Sequence, residues 1–177
     1  MNPRKTELVS IVVPCRNEEG FIADCIASML AFDLPEHIQI EVLVLDGLSE
    51  DQTVIKLRSI MEKDARVKLF TNPGKIQSTA INIAVKEAQG EWILRLDAHS
   101  TYPQNYLNLC YETMLQTGAD NVGGIVISTA RNNRYGANLV QAITTHQFGV
   151  GNSGFRTGMK AGAAGTVPYG WLLPELD

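Results

Sequence analysis

A doubly wound α/β sheet with mostly parallel strands is the fold class this sequence predicts. Three observations predict it. Short aliphatic runs alternate with segments of helical periodicity; turn and cap residues punctuate the joints; and polar clusters stand just past the ends of the apolar runs. Strands that alternate with helices pair in parallel through right-handed crossovers, which covers both sheet faces with helices. Ligands in such sheets bind beyond the carboxyl ends of the strands.

The elements follow in order. Residues 8–13 form a β-branched strand closed by Pro14, and Asn17-Glu-Glu19 supplies helix-start chemistry. Phe21, Ile22, Cys25, Ile26, Met29 and Leu30 recur at helical spacing, so residues 18–31 read as a helix with one buried face, ended at Asp33-Leu-Pro35. Residues 41–45 read as a buried strand, 49–63 as a helix with Ser49 at its N-cap, and 67–70 as a further strand. A helix over 77–88, stopped by Gly90, leads to a strand over 91–96. Pro103 opens a helix reaching about Leu115, Gly118 ends it, and 121–127 is expected as the next strand. Past Ile127 the pattern thins into Gly-rich runs, Phe148-Gly-Val-Gly-Asn-Ser-Gly154 and Gly162-Ala-Ala-Gly165. The expected organisation is therefore a core over 1–127 and a second region over 128–177.

Composition narrows the function. With 177 residues and 45% hydrophobic content the chain can bury one well-formed core. A formal charge of −4, with Lys and Arg scattered, offers no stripe to a nucleic-acid backbone. The apolar runs are too short to span a bilayer and no signal-peptide core follows Met1, so a cytoplasmic location is expected. Cys15, Cys25 and Cys110 are odd in number and form no CxxC pair, which argues against a disulfide framework or zinc cluster.

Three polar clusters should converge: Pro14-Cys-Arg-Asn-Glu18, Asp46-Gly-Leu-Ser-Glu50 and Asp97-Ala-His-Ser100. Asp97 and His99 lie two apart, so in strand geometry they share a face and could hold a cation between them; equally, Asp97 could cap a turn with His99 in the loop. Asp46 reads either as part of a helix-start turn or as a hydrogen-bond acceptor for a base or ribose. Lys75 lies in a loop before a helix, where it is either a solvated surface charge or a cation near a pyrophosphate; a Walker-type loop is excluded because residue 69 is Leu and Ile76 follows Lys75. No Gly-x-Ser-x-Gly elbow and no Gly-x-Gly-x-x-Gly run follows the first strand, which speaks against covalent catalysis and a nicotinamide site.

In order and spacing these clusters resemble family 2 glycosyltransferases of the GT-A fold. Val13-Pro-Cys-Arg-Asn17-Glu18-Glu19 matches the first family motif, and Leu43-Val-Leu-Asp46-Gly-Leu-Ser49-Glu-Asp51-Gln-Thr53 the second. Asn72-Pro-Gly-Lys75, Thr79-Ala-Ile-Asn82 and Ala88-Gln-Gly90-Glu91-Trp-Ile then lead into Leu96-Asp97-Ala-His99, where the family carries its Asp-x-Asp metal motif. The resemblance implies a nucleotide-diphosphate sugar donor, a saccharide or lipid-linked acceptor, a divalent Mn²⁺ or Mg²⁺, inversion at the anomeric carbon, and peripheral membrane association of the full-length protein at the inner face. It places Pro14, Arg16, Asn17, Glu18, Asp46, Gly47, Lys75 and Asp97 in donor binding, with Asp46 on the base, and Asp97 with His99 on the metal. The carboxylates imply an acidic cleft in which a cation bridges them to the pyrophosphate.

Two departures stand out: Gly47 replaces a second acid after Asp46, and His99 replaces the second acid of Asp-x-Asp. Asp97-Ala-His99-Ser, with Phe155-Arg-Thr-Gly158 and Val167-Pro-Tyr-Gly170, is most similar to the succinoglycan and exopolysaccharide branch. An imidazole ligand favours Mn²⁺ over Mg²⁺ and makes binding fall as it protonates. The family's general base is expected beyond Asp177, so the chain is expected to be C-terminally truncated; Glu175 and Asp177 are given no catalytic role. The alternatives are a catalytically incomplete nucleotide-binding fragment and a sugar-phosphate nucleotidyltransferase. The latter would want a Gly-rich basic loop after the first strand, where Pro14-Cys-Arg-Asn17 stands.

Overall fold

A computed structural model describes residues 6–127, Arg156, Gly162, Ala163 and the short strand at Trp171–Leu172. The elements run β1 (Glu7–Cys15), α1 (Ile22–Leu30), β2 (Ile38–Asp46), α2 (Thr53–Met61), β3 (Val67–Thr71), α3 (Gln77–Glu87), β4 (Trp92–Arg95), α4 (Tyr106–Thr117) and β5 (Trp171–Leu172). The sheet order is β3-β2-β1-β4-β5. β1 pairs in parallel with β2 and β4, β2 in parallel with β3, and β5 adds an antiparallel edge to β4. The strand order reverses between β1 and β4, which makes the carboxyl ends of these strands the expected ligand crevice. The chain divides into two compact units, Met1–Val122 with Tyr169–Asp177, and Gly123–Pro168. The sheet and the site described below belong to the first.

Strand alternation assigns the core to two faces. Val9, Ile11, Val13, Val42 and Val44 pack with Ile22, Cys25, Ile26 and Met29 of α1, and with Leu107, Cys110, Tyr111 and Met114 of α4. Val12, Leu43, Leu45 and Ile93 point the other way and meet α3 through Ala80 and Ala84, small residues that let the helix lie close. Each fully buried aliphatic side chain contributes about 1.5–3 kcal/mol, so these two layers account for most of the cohesion.

A buried polar node crosses the sheet near the amino ends of its strands. Glu41, 4% exposed, accepts the Ser10 hydroxyl at 2.6 Å, Lys68 Nζ at 2.8 Å and the Gln89 N–H at 2.7 Å. Ser10 Oγ in turn accepts the Gly90 N–H at 2.9 Å. A Cβ on Gly90 would stand 2.6 Å from the Leu8 carbonyl and 2.7 Å from Ser10 N, so only glycine permits this approach. Gly90 thus serves strand docking; α3 has already ended at Glu87, with Ala88 extended.

Several elements differ from expectation, among them β2, which already begins at Ile38, and α4, which begins at Tyr106. α1 starts at Ile22 because residues 18–21 form a turn, with the Phe21 and Ile22 N–H groups both donating to the Glu18 carbonyl. α2 starts at Thr53 with Gln52 at its N-cap, since the Ser49 hydroxyl is engaged with Asp46 and Asn17. Residues 121–127 form no strand: a strand needs a ladder partner, and the free edge of β4 is taken by β5. Gly118, at φ +65°, ends α4 as expected and donates its N–H to Met114 O at 2.9 Å. The Gly-rich run 148–154, Val167-Pro-Tyr-Gly170, Glu175, Asp177 and, apart from Arg156, the run 155–158 lie outside the described residues.

Candidate functional site

The loops after β1 and β2 are zipped together. Asn17 Oδ1 accepts the Glu50 N–H at 2.8 Å, while the Asn17 N–H donates to Ser49 Oγ at 2.8 Å. Glu18 N–H donates to Thr53 Oγ1 at 2.8 Å, Glu19 N–H to Asp51 Oδ2 at 3.0 Å, and Gln52 N–H to Glu19 Oε2 at 2.9 Å. Asp46, 6% exposed, takes the Ser49 hydroxyl on Oδ1 and the Ser49 N–H on Oδ2 at 3.1 Å, with Cys15 Sγ at 3.9 Å. Short polar side chains that bond nearby backbone are what the Asn-Glu and Ser-x-Asp-x-Thr runs supply. Each of the first three loops also holds one non-glycine residue in the left-handed region: Asn17 at φ 55°, Leu48 at 59° and Lys75 at 59°. Asn tolerates this conformation, but Leu and Lys pay roughly 1 kcal/mol or more for it, a strain that clusters at ligand sites.

Beyond the β1/β4 switch point lies an open cleft of about 260 Å³. Its wall is built from Pro14, Cys15, Arg16 and Glu18 after β1, and from Asn72 and Lys75–Gln77 after β3. Arg95, Asp97, Ala98 and His99, at the end of β4, complete it. The lining carries three cationic side chains, Arg16, Lys75 and Arg95, against two carboxylates, Glu18 and Asp97. This corrects the expectation of an acidic cleft. Asp46 is turned into the loop zipper, and Arg95 enters the cleft. Such a surface attracts a multiply charged anion before any metal is considered.

At the floor, Asp97 Oδ1 pairs with Arg95 Nη2, and Asp97 Oδ2 lies 4.0 Å from His99 Nε2. His99 Nδ1 is 3.4 Å from Glu18 Oε1. The backbone of Asp97 is clamped. Its N–H donates to Tyr102 Oη at 2.8 Å, and its carbonyl accepts from Tyr102 Oη at 3.2 Å and from Cys25 Sγ at 3.3 Å. Burial pushes the Cys25 thiol up to about 12, and lifts that of Cys15 further with help from the Asp46 and Glu18 charges. Both therefore stay protonated, as donors and fillers.

A divalent ion is implied by the resemblance, and the residues can be tested for it. No three His, Cys, Asp or Glu side chains gather as a ligand set among the described residues. Asp97 and His99 offer one oxygen and one nitrogen donor 4.0 Å apart, inside the ~4.2 Å that two ligands at ~2.1 Å can span across a cation. They fit a cation that draws its remaining ligands from a bound diphosphate.

Of the residues singled out in the sequence, the cleft brings together Pro14, Arg16, Glu18, Lys75, Asp97 and His99. Asn17, Asp46 and Gly47 do not line it. Asn17 and Asp46 hold the zipper, and Gly47 packs against Arg16, where a Cβ would meet Arg16 Cβ at 3.3 Å. Sequence reasoning passed over Arg95, Gln77 and Asn72. Arg95 is the last residue of β4, whereas Asp97 and His99 stand in the loop and turn beyond it, the loop position being one of the two expected for His99.

The sequence pattern of glycosyl transferase family 2 matches residues 10–162. The chain belongs to this family. It is 40% identical over 114 residues to the succinoglycan biosynthesis protein ExoA of Rhizobium meliloti, covering 63% of this chain and 34% of that protein. It is 28% identical over 169 residues to a dolichyl N-acetyl-α-D-glucosaminyl phosphate 3-β-D-2,3-diacetamido-2,3-dideoxy-β-D-glucuronosyltransferase of Methanococcus voltae, covering 92% of this chain and 51% of that enzyme. The chain thus spans between a third and a half of these relatives. Its fold matches the mannosyltransferase of Pyrobaculum calidifontis, solved with GDP-mannose and Mn²⁺, at a TM-score of 0.62 and 24% identity over 71% of this chain and 37% of that one. The mostly parallel sheet is thus the GT-A arrangement of the family.

Proposed function

We propose that this chain carries the donor-binding core of a family 2 glycosyltransferase. It would take a nucleotide-diphosphate sugar and pass the sugar, with inversion, to a saccharide or lipid-linked acceptor in exopolysaccharide assembly. The observation that carries this reading is the cleft at the β1/β4 switch point, where Arg16, Lys75 and Arg95 face Glu18, Asp97 and His99. Pro14 and Glu18 would flank the nucleoside. Lys75, held in its left-handed turn before α3, would meet the diphosphate near the positive helix end. Asn17, Asp46 and Gly47 would act one layer back by fixing the two loops that form the nucleoside side.

Asp97 and His99 would hold Mn²⁺ or Mg²⁺, which when bound neutralises charge on the departing diphosphate. The chain's own contribution is a rigid Asp97, fixed through Tyr102 and Cys25. Direct displacement also needs a base for the acceptor hydroxyl. In this reading residues 1–127 hold the donor, and 128–177 begin the acceptor side. No helix of the described residues is long and apolar enough to cross a membrane.

A thermal-shift panel of UDP-, GDP-, CMP- and dTDP-sugars with Mn²⁺ tests the reading. A ligand at a hundred times its Kd adds about 2.7 kcal/mol of stability, a shift of several degrees for a domain of this size. Stabilisation by one nucleotide class that Asp97→Asn abolishes is the expected result. No stabilisation by any of them would overturn the proposal.

A further inference from the structure

We propose that Arg95 is the resident counter-cation of Asp97 and couples binding of the divalent ion to binding of the donor diphosphate. The inference rests on the donor reading above. Arg95 is the last residue of β4, Asp97 stands two residues beyond it, and both line the cleft. Its Nη2 pairs with Asp97 Oδ1. Its other face is held by Gln77 at the start of α3, whose carboxamide, turned with its oxygen towards the guanidinium, accepts Nη2 at 2.9 Å and Nε at 2.8 Å. With the side chains 25% and 21% exposed, this is a partly desolvated, two-point clamp, unlike a loose surface pair.

The clamp has a consequence for charge. A dication approaching Asp97 Oδ2, on the His99 side, meets a carboxylate whose charge is already drawn to a guanidinium on Oδ1, and a lining in which cations outnumber carboxylates three to two. Alone it binds against that field. A diphosphate changes the balance, because its oxygens offer the guanidinium a planar, bidentate partner of the kind arginine prefers. When Arg95 turns to the diphosphate it releases Asp97 Oδ1, and the full carboxylate charge would then be left, with His99, to hold the metal. Metal and diphosphate therefore assist each other through Arg95, and the coupling is reciprocal. Without a donor, the guanidinium also keeps a loose cation from occupying the corner unproductively.

Free Mn²⁺ measured by electron paramagnetic resonance tests this without any turnover. In the unaltered chain Mn²⁺ alone should bind weakly, and saturating UDP should tighten it by about 5–150-fold, the usual range of coupling between two sites. In Arg95→Met, Mn²⁺ alone should bind at least fivefold tighter and the UDP enhancement should shrink towards one. Arg95→Lys keeps the charge and should restore weak binding of Mn²⁺ alone. Gln77→Ala, at an exposed position whose loss threatens no fold, frees one side of the guanidinium and should shift Mn²⁺ affinity the same way by a smaller factor. Equal or weaker binding of Mn²⁺ alone in both Arg95→Met and Gln77→Ala would overturn the inference. If the unaltered chain bound no UDP with or without Mn²⁺, the donor reading would fall, while the comparison with Mn²⁺ alone would still decide whether Arg95 occupies Asp97.

Discussion

Replacing Glu41 by alanine removes the acceptor on which β1, β3 and the turn before β4 converge. The Ser10 hydroxyl and the Gln89 N–H lose bonds of 2.6 and 2.7 Å in a site 4% exposed, and each unsatisfied buried group costs about 1–3 kcal/mol. Lys68, with 37% of its side chain exposed, can turn to water, so its loss adds only ~0–1 kcal/mol. The expected total is about 2–7 kcal/mol, a large share of the ~5–15 kcal/mol that holds a domain of this size. Glu41→Gln keeps one oxygen acceptor and should cost roughly 1–2 kcal/mol. Acid should weaken the same node. Burial alone would raise the Glu41 carboxyl, but hydrogen bonds from Lys68, Ser10 and Gln89 and the Lys68 charge hold it below its ordinary value of 4.5. A carboxyl lowered by folding contributes stability that is present above its unfolded value and lost as pH falls through the folded one. The contribution should therefore persist down to about pH 4.5 and vanish below it. Urea unfolding of the unaltered chain and both variants between pH 7 and pH 3 checks this, with an unchanged slope against denaturant. A loss under about 1 kcal/mol in Glu41→Ala, or an acid response in Glu41→Gln equal to that of the unaltered chain, would refute the reasoning.

Two further outcomes follow from the same geometry. Tyr102→Phe removes the hydroxyl that closes on both backbone groups of Asp97. It should cost about 1–2 kcal/mol of stability and, by loosening a ligand's support, weaken Mn²⁺-dependent nucleotide binding by ~10–100-fold; calorimetry showing unchanged affinity would contradict this. The three buried cysteines, with Cys25 pushed to about 12 and Cys110 to about 11, should resist an aromatic disulfide reagent at pH 8 until the chain unfolds. Rapid native labelling of even one would show that the strand or helix carrying it opens.

What the sequence determined by itself is whatever local periodicity and turn chemistry encode. The near-continuous apolar runs of β1 and β2 marked them as buried strands, and Gly118 stopped α4. The polar runs after Val13, Leu45 and Leu96 marked the functional end of the sheet because parallel strands all finish on one side. Decisions between distant segments were closed to it. Asn17 read as a pocket residue, but its polar atoms are engaged across the β1 and β2 loops, a pairing 32 or 33 residues apart in sequence, while Asp46 takes the local one of its two readings, a turn that accepts Ser49. Residues 121–127 had strand character but pair with no strand, and the β4 flank is held by β5. Glu41 looked like the polar start of an apolar run, and only the turn at Gln89, 48 residues on, makes it the centre of a network. The charge of the cleft was settled in the same way. Local sequence shows which side chains leave a strand end, but their net field depends on which carboxylates fold inward and which guanidinium swings across, and that is decided by contacts which exist only once the sheet has closed.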